Sequence, residues 1–110
     1  MSNDSQERME NFHLVNVKLS FHRNGEELPF GPQAAVRMRE IPVAGDIIHL
    51  APDTIALFNQ LIRHHHKVYE EDIPLLKENQ RFKVMRRAFA ENGLYGGIDA
   101  SITLGYAGRN

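Results

Sequence analysis

The stretch "PDTIALFNQLIRHHHKVYEED", residues 52 to 72, decides the fold class because its apolar residues recur with the period of a helix. Asp53 is a good N-cap residue, and Pro74 forces an end to the pattern. The apolar side of the helix would be formed by Ile55, Phe58, Leu61, Ile62, Val68 and Tyr69. The sequence therefore predicts one helix from about 53 to 72.

On both sides of this stretch the period changes to the apolar–polar alternation of half-buried strands. Before the helix, "HLVNVKLSFHR" at 13–23 alternates clearly, and two short strands are predicted at about 34–41 and 46–50. After the helix, the predicted strands are "RFKVMRRAFA" at 81–90 and "GIDASITLGYA" at 97–107. Asn24-Gly25 could form a tight hairpin turn, but the prolines that follow favour a loop.

This element order predicts an α+β fold with a helix between strands 3 and 4 of about five strands. We expect a mainly antiparallel small β-barrel or curved sheet, in the order of an OB-fold or an SH3-like barrel. An open sheet with one helix packed on it is the remaining alternative. The expected organisation is a flexible N-terminal tail at 1–10, a single globular domain at 11–107 and a C-terminal tail at 108–110.

The composition of the chain excludes several classes of protein. The chain has 110 residues, a formal net charge of −1 and no cysteine, so it forms no disulfide and has no thiolate nucleophile. A net charge near zero argues against the strongly positive electrostatic field with which some proteins bind nucleic acid non-specifically. Any function that depends on charge must therefore use a local group of charged residues. The polar opening and the lack of a long apolar run predict a cytoplasmic protein with no membrane partner.

The histidine run His64, His65 and His66 does not predict a metal site. Successive helical side chains lie 100° apart, so three in a row fan over about 200° and cannot converge on one ion. His65 falls near the middle of the apolar side and is expected to be packed, whereas His64 and His66 are expected to be solvated. His66 and Glu70 could share an ion but lack a third ligand, so no metal or cofactor is predicted.

Motifs for catalysis are also missing from the sequence, which contains no Gly-x-Ser-x-Gly, phosphate loop, dinucleotide fingerprint or His-Glu-x-x-His. We therefore predict that the protein is not an enzyme. An unrecognised hydrolytic site is the alternative left open.

The segment "RFKVMRRAFA" is the strongest candidate for a binding surface. If Phe82 and Val84 face the core, strict alternation would bury Arg86, so we expect a β-bulge at Arg86-Arg87 that turns both arginines outward. Basic residues on other polar strand faces could extend this patch. The predicted partner-binding residues are Lys18, Arg37, Arg39, Arg81, Lys83, Met85, Arg86 and Arg87.

These observations predict a small non-enzymatic binding module, acting as an adaptor, subunit or inhibitor, that recognises a protein through strand and loop surfaces. Self-association through an exposed strand edge is a related possibility. The alternative is nucleic-acid binding through the basic strand patch of an OB-like barrel. A third interpretation is a solvated strand face whose charges are balanced by acids such as Asp99.

Overall fold

The computed structural model describes residues 12–29, 31–70, 73–94 and 97–107. The predicted tails at 1–10 and 108–110 lie outside these residues. The elements in chain order are β1 (His13–Arg23), β2 (Glu26–Glu27), β3 (Gln33–Met38), β4 (Ile47–His49), α1 (Pro52–Tyr69), β5 (Arg81–Leu94) and β6 (Ile98–Ala107).

The strands form one mixed sheet in the order β2-β1-β6-β5-β4, with β3 also pairing with β1. The first and last strands lie side by side and run parallel, from the pair Val15 and Ala100 to the pair His22 and Ala107. The other pairs are antiparallel: β1 with β2, β1 with β3, β4 with β5 and β5 with β6. The two ends of the described fold therefore meet in the middle of the sheet.

The α+β class is confirmed, but the barrel is wrong: the six strands form an open sheet. The parallel β1–β6 pair lies at the centre of the sheet, with the short strands β2 and β3 beside β1 and the short strand β4 at the other edge, beside β5. Among the described strands, no pairing joins these two edges, so the sheet does not close into a barrel. The helix follows the fourth strand rather than the third because β2 adds a strand that was not predicted.

That extra strand comes from the Asn24-Gly25 turn, where we expected a loop. Both turn residues have positive φ, 55° and 83°, which is the backbone conformation of a two-residue hairpin. His22 pairs with Glu27 across the turn, and Arg23 pairs with Glu26. The following prolines limit β2 to two residues but do not prevent the hairpin.

The helix is somewhat shorter than predicted. Ala51 is the N-cap and Pro52 opens α1, so Asp53 lies in the first turn rather than at the cap. At the other end, Glu70 adopts a left-handed conformation with φ 57°, and its N–H donates to the His66 carbonyl at 2.9 Å. The helix therefore ends at Tyr69, before Pro74 has any effect.

The core lies between α1 and one face of the sheet. Ile55, Phe58 and Ile62 of the helix are buried, as predicted from their spacing. The sheet contributes Val15, Val17, Leu19, Phe21, Phe82, Val84, Ile102, Leu104 and Tyr106. The alternation of apolar and polar residues along β1 and β6 thus identifies which face of each strand is buried in the core.

A β-bulge interrupts β5, one residue earlier than expected. Val84 pairs with Leu104 and Arg86 pairs with Thr103, so Met85 is the extra residue. Arg86 thereby turns away from the core, as predicted. Arg87 pairs with Ile102, so it lies on the helix side of the sheet, because paired residues share a face.

Within the described part of the chain, no helix has both the length and the apolar character needed to span a membrane.

Candidate functional site

Because α1 packs on one face of the sheet, the opposite face is available to a partner. We call this the helix-free face and define it by the strand residues whose side chains alternate with the core residues. It consists of Leu14, Asn16, Lys18, Ser20 and His22 of β1, Glu27 of β2, Gln33, Ala35 and Arg37 of β3, Ile47 and His49 of β4, Arg81, Lys83, Met85, Arg86 and Ala88 of β5, and Asp99, Ser101, Thr103 and Gly105 of β6. Among the described residues, no helix packs on it.

Most of the predicted partner-binding residues lie on this face, on three different strands, with Arg37 at the opposite end of the sheet from Arg81 and Lys83. They are Lys18, Arg37, Arg81, Lys83, Met85 and Arg86. Arg39 instead follows β3, with its guanidinium 5.6 Å from the centre of the Phe12 ring. Arg87 lies on the helix side, with its guanidinium 4.7 Å from the centre of the Phe89 ring. Two of the predicted residues are therefore separate from the common surface.

An apolar strip runs between the cations at the β4–β5 end of the helix-free face. Ile47 is 56% exposed and pairs with Lys83, while Met85 is 42% exposed and lies between Lys83 and Arg86. Met85 packs over Gly105, since a Cβ at that position would lie 2.8 Å from the Met85 sulfur. The absent side chain of Gly105 thus allows the methionine to lie across β6.

Sequence reasoning missed Ile47 as part of this surface, although a signal was present. Ile47 and Ile48 are consecutive in a strand, so one of them must leave the core face. Ile48 pairs with Phe82 and packs against the core, which leaves Ile47 outward.

A polar cluster on β1 and β2 fixes the other part of this face. The Ser20 hydroxyl donates to the Glu27 carboxylate, and its oxygen lies 3.2 Å from Nε2 of His22. Because the hydroxyl has one proton, Nε2 must donate to the serine oxygen rather than accept from it. Arg86 lies 4.0 Å from the same carboxylate oxygen of Glu27. The carboxylate therefore links β2 to β5 across the intervening strands.

Although Ser20, His22 and Glu27 are the residue types of a catalytic triad, their arrangement is different. In a triad the histidine accepts the serine proton and the acid holds the histidine. Here the acid accepts the serine proton directly, and Ser20 is only 2% exposed. The cluster orients Glu27 and gives no activated nucleophile.

The same cluster predicts a pH effect. The Ser20 hydrogen bond, followed by the nearby charge of Arg86, lowers the pKa of Glu27 below its usual value of 4.5. A lowered pKa means that this interaction stabilises the fold above the unfolded pKa and is lost as the pH falls through the folded one. We expect Ser20→Ala to raise the Glu27 pKa toward 4.5, as measured by NMR titration of the side-chain carboxyl carbon. An unchanged Glu27 pKa in this variant would contradict the hydrogen bond.

The acids on the helix-free face leave most of its cations unneutralised. Asp99 accepts a hydrogen bond from the Leu14 N–H at 2.9 Å and lies 3.6 Å from Nδ1 of His13. Glu27 contacts Arg86 as described. Among the described residues, no ion pair is formed by Arg37, Arg81 or Lys83. The interpretation that acids such as Asp99 balance this strand face therefore does not account for these cations.

The three histidines of the run differ in burial as their helical spacing predicts, except for His66. His65 is 3% exposed and packed, as predicted, and His64 is exposed. His66 was expected to be solvated, but its Nε2 accepts a hydrogen bond from the Ile73 N–H at 2.9 Å and lies 2.8 Å from the Ile73 carbonyl. The imidazole therefore binds the backbone that follows the helix.

The contact between His66 and Ile73 also argues against His66 and Glu70 as a pair of metal ligands. Glu70 lies beyond the end of the helix, and Nε2 of His66 is engaged by Ile73. Within the described ranges, no group of three or more His, Cys, Asp or Glu side chains could hold a metal.

We expect His66→Ala to lower the free energy of unfolding by about 1–3 kcal/mol, because it leaves the Ile73 N–H without its acceptor. His64→Ala, at an exposed position on the same helix, is the matched control and should change stability by less than about 0.5 kcal/mol. Denaturant unfolding of both variants measures the difference. Equal stabilities would mean that the His66–Ile73 contact contributes nothing.

A cleft of about 320 Å³ beside the C-terminal half of α1 is a weaker candidate site. It is lined by Arg63, His66, Ile73, Pro74 and Leu75. Since His66 is already bonded to Ile73, the cleft offers a ligand little polar contact beyond Arg63.

Comparison with protein-family models finds no match, and searches of curated proteins and of solved structures also find none.

Proposed function

We propose that this protein is a non-enzymatic binding module that recognises the acidic surface of a protein partner through its helix-free face. The observation that supports this most strongly is that six of the predicted binding residues lie on one face of the sheet. Lys18, Arg37, Arg81, Lys83, Met85 and Arg86 share one face, although the whole chain has a net charge of −1. A cationic surface on a nearly neutral protein favours a local, specific contact.

The mixture of groups on this face favours a protein over a nucleic acid. Ile47 and Met85 offer exposed apolar area between cations, which is typical of the centre of a protein interface. Binding of single-stranded nucleic acid would use stacked aromatic side chains. Among the described strand residues of the helix-free face there is no Phe or Tyr, and the exposed Phe89 lies on the helix side.

The role of each residue follows from its place on the face. Arg37 and Arg81 can bind partner carboxylates in a bidentate manner, while Lys83 supplies a point charge beside Ile47. Arg86 is partly oriented by Glu27, which limits the side-chain freedom lost on binding. Binding of this kind acts by tethering or by covering a partner surface and needs no chemistry.

The proposal is tested by affinity capture from the cells that produce the protein, using the wild type and an Arg81→Glu, Lys83→Glu variant. Both residues are exposed, so the reversal changes charge on the face without altering the core. The matched control is Arg63→Glu, Lys77→Glu, which changes the same charge on the helix side. Circular dichroism verifies that all three proteins are folded.

We expect the wild type and the control to capture a partner protein, and we expect this capture to persist after nuclease treatment. The Arg81→Glu, Lys83→Glu variant (the face variant) should not capture it. Since charged interface pairs affect both encounter and retention, the expected loss is on the order of tenfold or more in affinity. Equal capture by all three proteins would overturn the assignment of this face.

The nucleic-acid alternative is tested separately by fluorescence anisotropy of labelled single- and double-stranded oligonucleotides at low and near-physiological salt. The cationic face is the observation that favours this alternative. Tight binding that falls steeply with salt and weakens in the face variant would replace the protein partner with a nucleic acid. No binding at low salt would remove the alternative.

A further inference from the structure

One edge of β3 pairs with β1, and its other edge pairs with no strand in the described part of the chain. Proteins usually protect such a free edge with a short strand, a proline, a bulge or charges. β3 is six residues long, contains no proline and pairs with β1 without a register shift. Its one charged side chain is that of Arg37. The strand therefore has few of the usual protections against pairing with another strand.

The hydrogen bonds between β1 and β3 determine which backbone groups face this free edge. The Leu19 N–H donates to the Pro32 carbonyl at 2.9 Å, at the start of the ladder. Bonded and non-bonded residue pairs alternate along an antiparallel ladder, so every second residue of β3, beginning at Ala34, bonds to β1. The remaining residues of β3, which direct their N–H and C=O groups outward, are Gln33, Ala35 and Arg37.

The side chains along β3 differ between the two faces of the sheet. On the helix side, Ala34, Val36 and Met38 are half-buried and pack against the core. On the helix-free face, the side chains of the three outward-bonding residues are exposed. A strand added at this edge must therefore supply apolar side chains on the helix side and an acceptor for Arg37 on the other.

We propose that the free edge of β3 pairs with the same edge of a second copy of this chain, in antiparallel orientation, with Ala35 opposite Ala35 across a two-fold axis. In this register the outward-bonding residues of one copy all lie opposite those of the other, and each bonded pair exchanges its N–H···O bonds. Ala34 lies opposite Val36 of the second copy on the helix side. On the helix-free face, Gln33 lies opposite Arg37. The edge thus supplies both features that it needs in an added strand.

Gln33 has the capacity to accept a hydrogen bond from the opposing Arg37. Its Oε1 accepts from Nδ2 of Asn16 at 3.0 Å, and a carbonyl oxygen has a second lone pair. Among the residues that the structure describes, Arg37 forms no ion pair that would compete for its guanidinium. The net charge of −1 also means that two copies repel each other only weakly.

The symmetry of the dimer selects Ala35 as its centre. A two-fold axis normal to the sheet keeps each side chain on its own face, so the axis must pass through a residue rather than between two. An axis at Arg37 would oppose like charges. An axis at Ala34 would leave Arg37 without a partner in the opposing β3, and an axis at Val36 would do the same to Gln33. The Ala35 register is therefore the one that uses the whole strand.

The dimer would join the two sheets through their β3 edges, with both α1 helices on the same side and both helix-free faces on the other. This inference does not depend on the proposed function, because it concerns the edge of β3 rather than recognition by the face.

Analytical ultracentrifugation over a concentration series tests the backbone pairing with Ala35→Pro. Proline removes the outward N–H of residue 35, which β1 does not use, so the β1–β3 ladder is kept. We expect the dissociation constant of the dimer to rise by about tenfold or more, because the central pair loses both of its donors. Ala35→Thr keeps the N–H and is the matched control, which should dimerise like the wild type. Circular dichroism verifies that both variants are folded.

Two substitutions of Gln33 test the register in opposite directions. Gln33→Glu places an acid opposite each Arg37 and should tighten the dimer by about threefold or more, whereas Gln33→Arg opposes like charges and should weaken it by a similar factor. Gln60→Glu and Gln60→Arg make the same changes in net charge at an exposed position of α1. Neither of these controls should change the dissociation constant.

A wild-type chain that remains monomeric at the highest accessible concentration would overturn the proposal. A dimer that Ala35→Pro does not weaken would overturn it by placing the interface elsewhere. If Gln33→Glu and Gln33→Arg shift the dissociation constant in the same direction, the pairing of Gln33 with Arg37 is wrong. Partial unfolding cannot tighten a dimer, so the gain expected from Gln33→Glu separates a specific contact from a loss of structure.

Discussion

We expect Phe58→Ala to lower the free energy of unfolding by about 3–5 kcal/mol. Phe58 is fully buried in the middle of α1, between Ile55 and Ile62, and faces the core side of the sheet. Truncation removes the largest apolar side chain that the helix contributes to the core and leaves a cavity that the surrounding strands can only partly close. Chemical denaturation followed by circular dichroism measures the change.

Leu57→Ala is the matched control for this result. Leu57 is the preceding residue on the same helix but is 40% exposed, so it should lose about 1 kcal/mol or less. A comparable loss in both variants would mean that α1 does not present the Phe58 side to the sheet.

The second large effect is expected from a disulfide between β1 and β6, made by Asn16→Cys together with Ser101→Cys. The two residues are paired neighbours, and Asn16 Nδ2 lies 3.5 Å from Ser101 Oγ. The native chain has no cysteine, so the new thiols have no competitor. Their separation of 85 residues predicts an oxidised form that is up to about 4–5 kcal/mol more stable than the reduced form.

Gln33→Cys with Ser101→Cys is the control, because Gln33 and Ser101 lie on opposite sides of β1. Strands are about 4.8 Å apart, so residues two strands apart exceed the span of a disulfide. If the control oxidises as readily as the Asn16–Ser101 pair, β6 is not the parallel neighbour of β1. The comparison therefore tests the feature that distinguishes this sheet from the predicted barrel.

The sequence allowed the elements to be predicted better than their pairing. Alternation in β1 and β6 identified the buried faces, and the spacing of Ile55, Phe58 and Ile62 identified the buried side of α1. Alternation gives no information on which strand is a neighbour, so the parallel β1–β6 pair could not be deduced from it. The hairpin at Asn24-Gly25 has a clear turn signal, and the prolines that follow do not outweigh it.

The candidate surface was partly predictable because side chains alternate between the two faces of a strand. Charges on polar strand positions could be assigned to one face, but strict alternation alone does not locate a bulge. The extra residue is Met85, which changes the side on which Arg87 lies. The role of Gly105 beneath Met85 depends on a contact between two strands, and this contact has no signature in either segment alone.

His66 shows a similar limit. Its position on the helix margin predicted contact with water, but the chain returns past the end of α1 and places the Ile73 backbone beside it. A helical pattern describes one face of one element and does not describe the loop that folds back on it.

The lysines of this chain provide a direct test of the binding surface. Lys18 and Lys83 lie on the helix-free face, whereas Lys67 and Lys77 lie on exposed positions at the end of α1 and in the loop that follows. These are all of the lysines, so amine acetylation compared between the free protein and its captured complex reports on each side of the sheet. We expect acetylation of Lys18 and Lys83 to slow in the complex while that of Lys67 and Lys77 is unchanged. Protection of Lys67 and Lys77, with Lys18 and Lys83 still reactive, would contradict recognition through the helix-free face.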